Sequence, residues 1–118
     1  MENALNSIKK FVNDTVSYEQ IARIYFEKKE YLKALKAYQT IVAIMDFNKA
    51  YRTIEPGVRQ VYLSDIHIKI ADIYEILKDK ILRCNSLEEA LINLKYETRP
   101  DRQTIIKLIE EEIKYCQN

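Results

Sequence analysis

One glycine and two prolines in 118 residues leave this backbone few places to reverse sharply. Sheets need tight turns at short intervals, and such turns draw on Gly and Pro. A chain so poor in both is expected to run in long helices. Its length suggests a single domain over 1–118, large enough to bury roughly two-thirds of the unfolded surface. Apolar residues at 47% and charged residues at 31% describe a packed globular chain and not a disordered one.

The formal net charge is +1 and the isoelectric point is near 7.7, so no global field steers the protein toward nucleic acid or a membrane surface. Nine Tyr and no Trp suggest a core that runs close to the surface, where a buried ring can still reach water with its hydroxyl. Cys84 and Cys116 are too few for a disulfide framework, which predicts free thiols in a reducing compartment. The opening "MENALNSIKKFVND" lacks the apolar run of a signal peptide, and no stretch is apolar for long enough to span a bilayer. The expectation is a cytoplasmic protein without membrane insertion.

Apolar spacing divides the chain into helices at about 3–12, 17–28, 30–54, 58–83, 87–97 and 101–116. Leu5, Ile8, Phe11 and Val12 form the first stripe, and "NDTVS" interrupts it. Ser17 with Gln20, and later Ser86 with Glu89, have the spacing of capping boxes. Tyr18, Ile21, Ala22 and Tyr25 fall on one helical face. "EKKE" at 27–30 reads as a sharp corner. "EPG" at 55–57 is the clearest breaker, because Pro56 disfavours helix before it and Gly57 frees the backbone. In the next helix Leu63, Ile66, Ile70, Ile73 and Leu77 make a seam, while Val61, Ile68 and Ile76 lie off it. That helix needs cover on more than one side, from its own chain or from a second copy in a homodimer. Ile105, Ile109, Ile113 and Cys116 form the buried stripe of the last helix.

Residues 15–48 carry Tyr18, Ile21, Ala22, Tyr25, Ala34 and Tyr38 at places where paired helices need small residues at the crossing and aromatics beside it. In this they resemble the tetratricopeptide repeat. Ala71 and Tyr74 match Ala22 and Tyr25 in a weaker second copy over 64–97. There Ala90 aligns with Ala34 and Leu94 with Tyr38, if seven residues are inserted between its halves. "YLKALKAYQTIVAIM" and "IHIKIADIYEILKDKI" also resemble, over 15–80, the microtubule-interacting-and-trafficking (MIT) domain, a three-helix bundle. Both resemblances imply an all-α fold of five to six helices in antiparallel hairpins. Both also imply a groove that binds a helical or extended segment of another protein.

On the repeat resemblance, Val16, Glu19, Arg23 and Phe26 would line the groove. Lys29, Lys33 and Lys36, with Lys28 beside them, share a helix face that could meet phosphates, although charge runs of this kind are usually a solvated face. The sole histidine, His67, has Asp65 and Asp72 near it in sequence, but i and i+2 on a helix point to different faces. It shares no ligand spacing with Cys84 and Cys116. Asp65, Asp72, Glu75 and Asp79 beside Lys69 and Lys78 read as helical ion pairs. The expectation is a non-enzymatic adaptor without metal or cofactor. A nucleic-acid-associated subunit and a self-associating structural protein are the alternatives.

Overall fold

The polar corner at 27–30 turns the chain as its composition predicts. Lys28 and Lys29 lie in a turn between helices α1 (Ala4–Glu27) and α2 (Tyr31–Phe47) in a computed structural model. The structure describes residues 4–47 and 62–117, with side chains over 15–45 and 62–116. The other described helices are α3 (Leu63–Ile76), α4 (Lys80–Leu94) and α5 (Arg102–Gln117). The fold is all-α, with no strand among the described residues. The "EPG" breaker, Val61 and the side chains of Leu5, Ile8, Phe11 and Val12 lie outside the described residues. Two compact units divide the chain, Met1–Val61 and Tyr62–Asn118.

In the first unit α1 runs unbroken through "NDTVS", where the sequence suggested separate helices at 3–12 and 17–28. Asn, Asp, Thr and Ser are weak helix formers, but each costs only about 0.7 kcal/mol or less against alanine. Burial outweighs that, since Thr15 is fully buried. Ser17 is therefore a mid-helix residue and not a cap.

The corner itself is a Schellman motif. The Lys29 N–H donates to the Phe26 carbonyl at 3.0 Å, and the Glu30 N–H donates to the Tyr25 carbonyl at 2.9 Å. This places Lys29 at φ 63°, a left-handed conformation more usual for glycine. The Phe26 and Tyr31 rings meet edge to face across the corner at 5.5 Å.

Ala22 and Ala34 are both fully buried, so the α1 and α2 backbones approach closely there. Ala37, Tyr38, Ile41 and Met45 of α2 are also buried. Tyr18 and Ile21 do not join them, being 39% and 44% exposed. The buried line of α1 follows the small side chains of Thr15 and Ala22 and leaves the bulkier neighbours at its flank. Enlarging Ala22 to leucine is expected to destabilise this hairpin by about 1–3 kcal/mol through overpacking. A lower midpoint in urea unfolding, followed by circular dichroism, checks this.

The second unit repeats the corner. The Lys78 N–H donates to the Glu75 carbonyl at 3.1 Å and the Asp79 N–H to the Tyr74 carbonyl at 2.9 Å, with Lys78 at φ 61°. The continuous helix expected at 58–83 is thus broken after Ile76, and Leu77 at the end of its seam is 41% exposed. The helix expected at 87–97 begins at Lys80 instead. Its cap is Asp79, whose side chain accepts from the Leu82 N–H at 3.0 Å. Ser86 is buried inside α4 and caps nothing.

Tyr25, Phe26, Lys29 and Glu30 correspond to Tyr74, Glu75, Lys78 and Asp79 at one constant offset along the chain. The same offset pairs buried Thr15 with Ser64, Ala22 with Ala71, Tyr38 with Leu87, Ile41 with Ala90, and Met45 with Leu94. The two hairpins therefore repeat one plan without the seven-residue insertion. Ala90 takes the place of Ile41, and Arg83 that of Ala34.

α4 is central in this unit, packed against α3 and against α5. Ala71, Leu87, Ala90, Leu94, Ile109 and Cys116 form a buried cluster. Cys84 and Cys116 are joined in a disulfide between α4 and α5, with Cα atoms 5.8 Å apart. The expectation of free thiols is overturned, and with it the ground for assigning a reducing compartment. Antiparallel packing brings residues 32 apart in sequence side by side.

Candidate functional site

α3 and α5 flank α4 and leave a cleft between them, within the second unit. Ile68, Ala71 and Asp72 line it from α3, Leu87 from α4, and Ile105, Leu108 and Ile109 from α5. The alternation that buries Ile109 sets Leu108 next to it, 62% exposed, at the cleft rim. Ile68 and Ile105 are half-buried. Ile68 is one of the residues that fell off the α3 seam in the sequence, and the cleft is where that second apolar side of α3 faces.

Arg83 bridges one end of the cleft. Its Nε lies 3.7 Å from Glu75 on α3, and its other guanidinium end pairs with Glu112 on α5. The Arg83 side chain is largely buried while both carboxylates are mostly exposed. The Cys84–Cys116 bridge stands next to it on α4.

A buried polar cluster anchors the start of α3. Glu97, only 2% exposed, accepts from the Ser64 N–H at 3.0 Å and from the Ser64 hydroxyl. This carboxylate replaces the cap that Tyr62 cannot supply, at the end of the helix where negative charge is favoured. Arg99 lies 3.7 Å from Glu97, 3.1 Å from Asp65 and 2.7 Å from Asp101, and its guanidinium covers the Tyr62 ring at 4.3 Å. Burial works against the Arg99 charge, but hydrogen bonds to Asp101 and Asp65 outweigh it and hold the group above its ordinary pKa. The same bond to Arg99 lowers the Asp101 carboxyl.

Asp72 differs from these acids. No side-chain hydrogen bond or close ion pair reaches its carboxylate among the described residues, although it is half-buried in the cleft wall. Burial pushes its carboxyl above the usual carboxylate range. Lys69 opposes that, and Glu75 adds to it.

The residues expected to line a groove, Val16, Glu19, Arg23 and Phe26, lie on one side of α1. Val16, Glu19 and Phe26 are half-buried, and Phe26 is engaged with Tyr31. Arg23 is exposed and lies 3.7 Å from Glu19. Lys29, Lys33 and Lys36 are exposed. Lys29 belongs to the corner, while Lys33 lies 3.8 Å from Glu30 and over the Tyr25 ring at 5.7 Å. This face is partly neutralised. His67 is buried in α3, and no group of His, Cys, Asp and Glu suited to a metal ion occurs among the described residues. No described helix is long and apolar enough to cross a membrane.

Fold and cleft together define an all-α protein of repeated helical hairpins, the second closed by an extra helix. Compared with known proteins, the chain matches no family model, no curated sequence and no solved structure.

Proposed function

We propose that the chain is a non-catalytic binding module that seats a helical segment of another protein in the cleft between α3 and α5. The observation that carries this reading is the open apolar trough itself. Leu108 stands exposed at its rim, and Ile68, Ile105 and Ile109 lie below it. Such a trough suits a helix that lays an apolar stripe between two others. The flanking elements are held before any partner arrives, by the Arg83 ion pairs and the disulfide at one end and the Glu97–Arg99 cluster at the other. A preformed trough spares the ordering cost of binding. The α1–α2 hairpin, with Ala22 and Ala34 buried where its helices pack, supports the same reading of the chain as a helical scaffold.

Selection of binders from a displayed library of amphipathic helical peptides tests the reading. Binding is expected to fall at least about tenfold with Leu108→Asp, an exposed position where folding should survive, as circular dichroism would verify. Selected peptides that bind the variant as well as the natural protein would remove the cleft from consideration.

A further inference from the structure

The cleft is apolar along its floor but not electrically neutral. Arg83 is already committed to Glu75 and Glu112. Asp72 shares the same wall; its carboxylate makes no side-chain hydrogen bond or close ion pair among the described residues and feels the Lys69 and Arg83 charges without contact. The charged groups around it are Lys69, Glu75, Arg83 and Glu112. Lys69 lies on the exposed side of α3, one turn back. A half-buried carboxylate beside Ile68 and Leu108 is poorly solvated, and an opposite charge delivered by a ligand would compensate it more effectively than water does.

Resting on the reading above, we infer that the occupant is a basic amphipathic helix of another protein, whose Lys or Arg pairs with Asp72 while its apolar stripe meets Ile68, Leu108 and Ile109. The charge complementarity is directional. An acidic segment would set its carboxylates against Asp72, Glu75 and Glu112, with Arg83 already paired. A cation also lifts the penalty that burial places on Asp72. Recognition thus has separate parts, area from the apolar wall and choice of partner from one acidic group.

The test uses helical peptides with a fixed leucine stripe and one randomised polar position, selected on the full chain. Lys or Arg is expected at that position on the natural protein, with about tenfold tighter binding than Glu, as fluorescence anisotropy would read. The preference should vanish with Asp72→Asn and reverse with Asp72→Lys. Binders sensitive to Leu108→Asp but indifferent to charge would overturn this inference and leave the cleft standing. An absence of Leu108-sensitive binders would overturn both. A second copy of the chain as occupant would appear as a dimer that Leu108→Asp converts to monomer, and that result also contradicts the inference.

Discussion

Glu97→Ala is expected to destabilise the second unit by about 3 kcal/mol, with a change in urea midpoint and little change in helical content at the start of the transition. Glu97 is almost wholly buried and accepts from both the N–H and the hydroxyl of Ser64, itself fully buried. Alanine leaves both donors without that acceptor and withdraws one negative neighbour from Arg99. Breaking a buried charged contact from one side costs more than the contact contributes, because the remaining partner stays desolvated. Glu97→Gln keeps one carbonyl acceptor for the Ser64 N–H but turns the other oxygen into an NH2 donor and loses the charge, so its loss should be smaller than that of alanine. Equal effects from alanine and glutamine would mean that one carbonyl acceptor alone does not hold the start of α3. An alanine variant as stable as the natural protein would remove the anchoring role entirely.

Reduction of the Cys84–Cys116 bond should lower the stability of the second unit by about 3–4 kcal/mol, the chain-entropy cost for a loop of this length. The bond ties the last turn of α5 to the first turns of α4. Without it, α5 is held by Ile105, Ile106, Ile109 and Ile113 against Leu87, Leu91 and Leu94. That contact keeps the helix docked but lets its end fray, so faster amide exchange is expected at residues 110–116 than in α3. A thermal melt with and without a thiol reductant checks the first part, and hydrogen exchange the second. The Cys84→Ser, Cys116→Ser double variant should melt at the reduced position whether or not reductant is present. A natural protein whose melting ignores reductant would show that the bond contributes nothing.

Helical class and the first corner were legible because they depend on local composition. Few turn-forming residues predict helix, and "EKKE" between apolar stripes predicts a corner. The second corner was hidden for a physical reason. Lys78 takes the left-handed conformation without being glycine or asparagine, and hydrogen bonds from Lys78 and Asp79 hold it there. No residue at 77–79 announces that geometry, so the apolar seam seemed to run on through Leu77. The Ser17 and Ser86 misreadings share a cause. A capping motif is only a few residues long, and helix continuity with burial of Thr15 or Ser86 overrides it.

The cleft was half legible. Ile68 signalled a second apolar side on α3, and Ile105 with Ile109 signalled the inner side of α5. Asp72 looked like one member of a helical ion-pair series. Only the folded chain shows that Arg83 is in contact with Glu75 and Glu112, while Asp72 lies in the cleft wall without a close ion pair. The disulfide was not legible at all, since proximity of Cys84 and Cys116 depends on how α5 returns along α4.

The left-handed lysines carry a consequence for how this chain could change. A side chain with a Cβ is disfavoured in that conformation by about 1 kcal/mol relative to glycine. Lys29 and Lys78 each accept that disadvantage at the same point of their hairpins. Both halves thus keep a latent margin, open to a single codon-level change at either bend, that would firm the scaffold while leaving the trough between α3 and α5 untouched.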